Sequence, residues 1–163
     1  MLDYIGKLCS KSNYIYTYIH MKVFYTAPFG GKSKYQKFYD LVLETLDLYS
    51  DDIISPEAGN YLDTITNKEK LKIKDVRKIH YEAIRRGIQL SDVVVMEISH
   101  PSFRLGHEAT LAVQAKKPVL CLSINEDMSL KIDSPYFFGA KYNVDNIDEI
   151  ISNFLKRHSR NVL

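Results

Sequence analysis

Hydrophobic residues along the chain occur either in short continuous runs or at helical spacing. The continuous runs predict five strands, at residues 22–27, 52–55, 93–98, 118–123 and 141–144. Between most of these runs, apolar side chains recur every three or four residues, which is the period of a buried helix face. This spacing predicts helices at residues 35–46, 71–90, 105–116 and 147–155. Asp145 or Asn146 is expected to cap the last helix, and residues 58–67 are expected to form a loop.

Strands and helices alternate, which indicates an α/β domain with a doubly wound, flavodoxin-like or Rossmann-like parallel sheet of five strands and helices on both faces. The run V-V-V-M-E-I at residues 93–98 is apolar at almost every position, as in a central strand that is covered on both faces. Ligands of such sheets bind beyond the carboxyl ends of the strands. Two loops are therefore candidate sites, residues 26–33 and residues 99–108.

Residues 1–20 are rich in tyrosine and show no hydrophobic period, whereas M-K-V-F-Y-T-A-P from Met21 has the character of a first strand. We expect residues 1–20 to be an N-terminal extension, either ahead of a physiological start at Met21 or peripheral to the fold. Residues 21–163 are expected to form the domain. The alternative is that the extension adds a strand or helix to the domain edge.

Composition and charge argue against several classes of function. The 163 residues include 22 Lys and Arg against 20 Asp and Glu, and this net charge of +2 argues against a nucleic-acid partner. No apolar run has the length of a membrane span, and Lys7 and Lys11 interrupt any secretory signal. Cys9 and Cys121 form no disulfide framework, so we expect a cytoplasmic protein with reduced thiols.

The first candidate loop, T-A-P-F-G-G-K-S, matches a phosphate-binding Walker A loop only in part. Gly31, Lys32 and Ser33 fit the end of that motif, but Thr26 replaces its first glycine. Pro28 removes one of the backbone amides that would bind phosphate. The sequence therefore favours an ordinary turn followed by a helix that starts at Ser33.

The second candidate loop, S-H-P-S-F-R-L-G-H-E-A, concentrates reactive groups directly behind the most apolar strand. The predicted helix places Glu108 in its first turn, where the helix dipole stabilises a carboxylate. A capping role and a catalytic role for Glu108 are therefore both open. The zinc-binding pattern H-E-x-x-H fails at Leu111, and no metal or organic cofactor is expected.

The segment S-D-V-V-V-M-E-I-S-H-P-S-F-R-L-G-H-E-A, followed by A-K-K-P-V-L-C-L, resembles the nucleoside 2-deoxyribosyltransferase superfamily. Within it, the segment is most similar to the (deoxy)nucleoside 5′-monophosphate N-glycosidases, whose signature is roughly A-D-V-V-V-A-E-x-x-x-P-S-x-G-x-G-x-E-L-G. The resemblance implies that Glu108 is the nucleophile, that Ser102 binds the phosphate and that Gly106 lets the ligand approach the backbone. The deoxyribosyltransferases carry an aspartate in place of Ser102, so this residue favours a nucleotide over a nucleoside. A serine that only caps the following turn is the alternative.

The same resemblance implies further site residues. Ser134, in S-P-Y-F-F-G-A, corresponds to a second phosphate-binding serine that a neighbouring subunit contributes, which implies a homodimer. The loop after the first strand is implied to line the base and sugar through Tyr25, Ala27, Phe29, Gly30 and Gly31.

The chain also departs from the family pattern. The aspartate that the glycosidases carry on the second helix falls here on Ala83 or Ile84, and the nearby substitutes are Glu82 and His80. The position of a first-strand tyrosine holds Phe24.

Arg104 stands where the signature has a small residue. An arginine can bind phosphate through paired N–H groups, and Arg104 could thereby compensate for Phe29, which replaces an arginine of the glycosidases. Occlusion of the pocket and a side chain that points to solvent are the alternatives.

The expected activity is hydrolysis of the N-glycosidic bond of a (deoxy)nucleoside 5′-monophosphate through a glutamate nucleophile. The products would be the free base and (deoxy)ribose 5-phosphate. Base exchange by a deoxyribosyltransferase is one alternative. A catalytically weak nucleotide-binding or sensing domain, favoured by the missing aspartate, is another.

Overall fold

The computed structural model of the protein describes residues 19–127 and 134–159. Its strands are β1 (Ile19–Thr26), β2 (Ser50–Ile54), β3 (Val93–Glu97), β4 (Val119–Ser123) and β5 (Phe137–Lys141). Its helices are α1 (Lys32–Asp47), α2 (Asn67–Ile73), α3 (Val76–Leu90), α4 (Phe103–Gln114) and α5 (Ile147–His158). Short 3-10 helices, Phe29–Gly31 and Asn60–Thr64, follow β1 and β2. Of the expected N-terminal extension, residues 1–18 lie outside the described residues, and the last two positions begin β1.

The strands form one sheet in the order β2-β1-β3-β4-β5, and every neighbouring pair is parallel. The strand order changes direction between β1 and β3, where Thr26 is paired with Met96. The carboxyl ends of β1 and β3 therefore lie side by side, and both candidate loops leave the sheet at this switch point.

Helices cover both faces of the sheet, which confirms the predicted doubly wound α/β fold. On one face α1 and α5 pack over a layer that includes Tyr25, Leu46 and Leu155. On the other face α3 and α4 pack around Phe24 and Met96. β3 and β4 are buried at every position, since their side chains point alternately into the two apolar layers. In the part of the chain that the structure describes, no helix has the length and apolarity needed to cross a membrane.

The prediction of one helix over residues 71–90 is wrong, because the chain forms two helices there. Lys74, the residue directly after α2, has a φ of 60°. The side chain of Asp75 then caps α3, because its Oδ1 accepts a hydrogen bond from the Arg77 amide at 2.9 Å. α2 begins earlier than predicted because Thr66 and Glu69 form a capping box. The segment around the break is mostly polar, so its apolar period does not reveal where the helix is interrupted.

The last strand also differs from its prediction. β5 spans Phe137–Lys141 rather than residues 141–144, and most of its side chains are half-buried at the edge of the sheet. In the turn that follows, the Asn143 side chain accepts hydrogen bonds from the amides of Asp145 and Asn146. Asn146 is the N-cap of α5, as expected, but its side chain makes no capping bond.

Candidate active site

The loop after β3 ends at Ser102, an extended residue that is the N-cap of α4. Its hydroxyl oxygen accepts a hydrogen bond from the Leu105 amide at 3.4 Å, so the capping contact, which was the alternative to phosphate binding, is present but long. α4 begins at Phe103, and Glu108 is therefore its sixth residue. The prediction that Glu108 lies in the first turn is wrong. A helix-capping role for Glu108 is excluded, because the dipole acts mainly within the first turn.

The two oxygens of the Glu108 carboxylate have different surroundings. Glu108 is only 1% exposed, and its Oε1 accepts a hydrogen bond from Arg104 Nε, one helical turn earlier, at 2.9 Å. Its Oε2 is also buried and has no hydrogen-bond partner among the described residues. Buried polar atoms in native proteins are nearly always paired. The free Oε2 is therefore typical of a functional group that is kept available for a ligand.

Tyr61 and His80 lie near this carboxylate. The buried Tyr61 ring stacks on the His80 ring with 5.7 Å between centroids, and its hydroxyl shares a hydrogen bond with His80 Nδ1. Burial raises the pKa of the Tyr61 hydroxyl; the positive charge of Arg104 opposes this rise, and the negative charge of Glu108 adds to it. We call these four residues the Glu108 cluster. Tyr61 is not among the site residues expected from the sequence, in which the available signal was its place in the loop beyond the carboxyl end of β2.

The two substitutes expected for the helical aspartate point to different places. Arg85 holds Glu82, since its Nε and Nη2 both donate to Glu82 Oε2, at 3.1 and 2.7 Å. Glu82 also borders a separate cleft between α2 and α3. Ala83 and Ile84 are buried in the apolar layer under α3. His80 is therefore the substitute that the structure brings into the Glu108 cluster.

The loop after β1 lies against the loop after β3. A Cβ atom on Gly31 would lie 2.2 Å from Tyr39 Oη and 2.8 Å from His100 Cβ, and one on Gly30 would lie 3.3 Å from His100 Nε2. The close approach that the sequence led us to expect at these glycines is thus made by protein atoms, from Tyr39 of α1 and from His100 of the neighbouring loop. Phe29 is 75% exposed beside them.

Other expected residues of this loop are engaged by the protein itself. Tyr25 is fully buried, and its hydroxyl donates a hydrogen bond to the Tyr39 carbonyl oxygen at 3.0 Å. Ala27, directly after β1, is buried. Lys32, the lysine of the partial Walker A motif, forms an ion pair with Glu57 at 3.1 Å. This pairing supports the expectation of an ordinary turn.

A cavity of about 700 Å³ opens beyond the carboxyl ends of β3 and β4. Its walls include Ser99, His100, Ser102, Gly106 and Asn125. Ser102 and Gly106 face this cavity, whereas Glu108 is not among its walls and lies on another side of α4. Residues 128–133, which join β4 to β5, lie outside the described residues, so the cavity is defined by its described walls alone.

Ser134 lies beyond the amino end of β5, at the opposite end of the strands from the candidate loops. It precedes β5, and its hydroxyl oxygen accepts a hydrogen bond from the Tyr136 amide at 3.3 Å. Because the strands are parallel, all their amino ends lie on one side of the sheet and all their carboxyl ends, near which Ser102 lies, on the other. A single chain therefore does not bring the two serines together.

A second buried carboxylate, Glu97, ends β3. It accepts hydrogen bonds from the Ser99 hydroxyl and amide and from the Tyr142 hydroxyl, the last at 3.2 Å. Burial raises the pKa of the Glu97 carboxyl, and the bonds from Ser99 and Tyr142 oppose that rise. The Ser99 hydroxyl oxygen also accepts a bond from the Ile124 amide at 2.9 Å. This network fixes the turn from which the second candidate loop leaves the sheet.

Known proteins similar to this chain carry names that bear on the site. A protein of Trichoplax adhaerens, named for 2′-deoxynucleoside 5′-phosphate N-hydrolase activity, is 30% identical over 132 residues, which cover 77% of this chain and 85% of the relative. The chain belongs to the 2′-deoxynucleoside 5′-phosphate N-hydrolase family. A 5-hydroxymethyl-dUMP N-hydrolase of Danio rerio is 25% identical over 150 residues, which cover 86% of this chain and 100% of the relative. No protein-family model matches the chain.

Membership of the N-hydrolase family confirms the resemblance to the nucleoside 2-deoxyribosyltransferase superfamily. It also confirms the expected enzyme class, an N-glycosidase. This member of the N-hydrolase family has apolar residues at the helical position where the resemblance implies an aspartate, and the Tyr61–His80 pair lies beside its Glu108. In residues 19–127 and 134–159, no group of His, Cys, Asp or Glu side chains could hold a metal ion.

Proposed function

We propose that the protein hydrolyses the N-glycosidic bond of a (deoxy)nucleoside 5′-monophosphate and releases the free base and (deoxy)ribose 5-phosphate. The observation that carries the proposal is the Glu108 carboxylate, which is buried, bound at one oxygen by Arg104 and unpaired at the other. Glu108 also matches the nucleophile of the family signature. The names of the relatives support a nucleotide as the class of substrate.

In the proposed reaction, Glu108 Oε2 attacks the anomeric carbon of the sugar while the bond from that carbon to the base nitrogen breaks. The electron pair of that bond leaves with the base, and a glycosyl-enzyme ester forms. A water molecule then attacks the same carbon and gives a proton to the residue that had protonated the base, and Glu108 leaves as a carboxylate. The transition states carry positive charge on the sugar. A buried carboxylate stabilises that charge well, because the local dielectric constant is low.

We assign the 5′-phosphate to the N-terminal end of α4. Helix N-termini bind phosphate through their free backbone amides and their partial positive charge. Ser102 caps this end, and Gly106 faces the same cavity without a side chain to block it. Glu108 follows Ser102 by six residues, or roughly 9 Å along the helix axis. Because Glu108 lies on another side of α4 than the cavity, a nucleotide with its phosphate at Ser102 must pass around the N-terminal end of α4 for its sugar to reach this carboxylate.

We assign the base and sugar to the space beside the loop after β1, where Phe29 is exposed. Ala27, Gly30 and Gly31 shape this loop from below, since Ala27 is buried and the two glycines pack against His100. Tyr25 supports this loop from within the core, because its hydroxyl ties β1 to α1.

We assign protonation of the leaving base to His80. Histidine is the residue type that exchanges protons most readily near neutral pH. Tyr61 occupies Nδ1 of the ring, which leaves Nε2 for the base. A general acid of this kind contributes typically about 10²–10⁴-fold to the rate. Glu82 is the alternative acid, but its ion pair with Arg85 must break before it can act.

We further propose that a homodimer completes the phosphate site. In this arrangement Ser134 reaches the site of the neighbouring subunit. It does not reach the site of its own chain, because it lies beyond the amino end of β5. The remaining partner is the small nucleotide itself, and a cytoplasmic location is expected.

The test is to incubate the purified protein with matched nucleosides and 5′-monophosphates, in ribo and deoxyribo forms, and to separate the free base by chromatography. We expect base to be released from the monophosphates. Glu108→Gln keeps the shape of the side chain and removes its charge, so the rate should fall by at least about 10³-fold. Glu44→Gln, which changes an exposed glutamate of α1, is the matched control and should be active.

Other outcomes of the same experiment identify the alternatives. Transfer of the sugar to a second added base, with nucleosides accepted as donors, would show a deoxyribosyltransferase. Tight binding of monophosphates without release of base from any of them would show a nucleotide-binding or sensing domain.

A further inference from the structure

Arg104 connects the two parts of the proposed site. Its Nε donates to Glu108 Oε1 at 2.9 Å, and its side chain is 56% exposed, whereas that of Glu108 is 2% exposed. Among the described residues, the two Nη atoms of Arg104 have no hydrogen-bond partner. The guanidinium is thus attached to the candidate nucleophile at one nitrogen while its other nitrogens are available.

This ion pair weakens the chemistry proposed for Glu108. A carboxylate whose charge is offset by a guanidinium at 2.9 Å stabilises a positively charged sugar less than an unpaired carboxylate does. The hydrogen bond also occupies a lone pair of Oε1. Glu108 is therefore a stronger nucleophile when Arg104 has moved away.

A phosphate near Ser102 would give Arg104 a second place to bind. Arg104 is the second residue of α4, directly after Phe103, and helical side chains lean toward the helix N-terminus. A phosphate carries about two negative charges and offers three oxygens. Guanidinium groups bind such oxygens in pairs. The single hydrogen bond between Arg104 and Glu108 is weaker than a paired contact between Arg104 and phosphate.

We propose that Arg104 is a specificity switch that the phosphate of the substrate operates. Without phosphate, Arg104 stays on Glu108 Oε1 and offsets the negative charge of the carboxylate, which weakens Oε2 as a nucleophile. When a nucleotide places its phosphate beside Ser102, Arg104 transfers to the phosphate and Glu108 is released for attack. This inference rests on the proposed function and extends it, because selectivity for monophosphates then arises in the chemical step as well as in binding.

The kinetic test compares a 5′-monophosphate with its own nucleoside in the wild type and in Arg104→Gln. We expect kcat for the nucleoside to rise about tenfold, because the negative charge of the carboxylate is no longer offset. We expect kcat/KM for the monophosphate to fall about tenfold, because a phosphate contact is lost. A nucleoside kcat that is unchanged or lower overturns the switch. Arg157→Gln removes an arginine of α5 that lies over the Phe138 ring, and as the control it should change neither value.

A second measurement does not need turnover. Inorganic phosphate is added to protein labelled with ¹³C at glutamate carboxyl groups, and the Glu108 signal is assigned by its loss in Glu108→Gln. We expect phosphate to move this signal to the position that it has in Arg104→Gln without phosphate. A signal that does not move overturns the switch. If the signal moves but no substrate releases base, the proposed function fails, and the switch stands as a response to phosphate.

Discussion

A tyrosine hydroxyl fixes the imidazole of His80 in the Glu108 cluster. Tyr61 and His80 share a hydrogen bond at Nδ1, and their rings stack at 5.7 Å. Because burial raises the pKa of Tyr61, its phenol keeps its proton through the neutral range. One ring nitrogen of His80 is therefore constrained, and the other is available for proton exchange.

Removal of this hydroxyl should slow the reaction without weakening substrate binding. In Tyr61→Phe we expect kcat to fall about tenfold or more while KM stays within about twofold, since the stacked ring remains and only the bond to His80 is lost. Steady-state kinetics from about pH 5 to about pH 9 measure both values across the range in which a histidine changes charge.

The matched control is Tyr81→Phe. Tyr81 is a partly exposed tyrosine of α3 whose ring contacts His107, and loss of its hydroxyl should leave kcat unchanged. If Tyr61→Phe had the same kcat and pH profile as the wild type, His80 would have no role that depends on this bond.

At this scale, motifs reveal residues that are adjacent in sequence and miss contacts between distant ones. Glu108, Ser102 and Arg104 lie in one short segment of the chain, where a family signature can be recognised. Tyr61 meets His80 19 positions later, and the segment between them includes all of α2 and the start of α3. Such a contact depends on how α3 packs on the sheet, which residue types at a given spacing do not specify.

α2 is held to the domain by polar contacts, because none of its residues is buried. Glu69 accepts hydrogen bonds from both the Arg86 guanidinium of α3 and the Thr66 amide. Arg86 also donates to the Thr64 carbonyl oxygen at 3.1 Å. These bonds, first the one from Arg86 and then those from Thr66, lower the pKa of Glu69 to about 2.

The stabilisation by Glu69 should disappear in acid. The pKa of Glu69 is depressed in the folded protein, so its contribution is present above the ordinary value of 4.5 and is lost as the pH falls toward about 2. We expect Glu69→Gln to have a lower Tm than the wild type at pH 7, and the difference to shrink through this window. Thermal melting followed by circular dichroism at several pH values measures it. Glu44→Gln serves as the control, and a Tm difference that persists at the lowest pH would contradict the assignment.

Elements with a strong apolar pattern could be predicted, and elements that depend on local bonds could not. The run at residues 93–98 and the period at residues 35–46 correspond to β3 and α1. The break at Lys74 arises from backbone geometry, which a lysine seldom adopts and which no pattern signals. β5 was misplaced because it is a half-buried edge strand interrupted by Gly139.

At the scale of the whole molecule, the candidate site residues lie at the two opposite ends of the parallel strands. The carboxyl ends of the strands are at or near both candidate loops, the Glu108 cluster and the cavity. Ser134 lies near their amino ends. The sequence predicted the site at the carboxyl ends through the alternation of strands and helices. It could not show where Ser134 lies, because that depends on the register of β5.

In the proposed homodimer Ser134 contributes to the site of the neighbouring subunit, and mixed dimers test this proposal. Glu108→Gln and Ser134→Ala should each be weakly active alone. When they are refolded together in equal amounts, half of the dimers are mixed and each has one intact site, so about a quarter of wild-type activity should return. Activity equal to the mean of the two separate variants would show that Ser134 does not act across an interface.

The centre of the sheet joins parts of the chain that are far apart in sequence. The Lys22 amide of β1 bonds to the side chain of Asp92, 70 positions later, next to the start of β3. During synthesis, β1 has only β2 as a strand neighbour until β3 leaves the ribosome, and pairing over such distances is slow because a long loop must close first. The two candidate loops are brought together only after β1 and β3 have paired. A nascent chain that has not reached β3 therefore carries Tyr61 and His80 but has no site with which to cleave nucleotides.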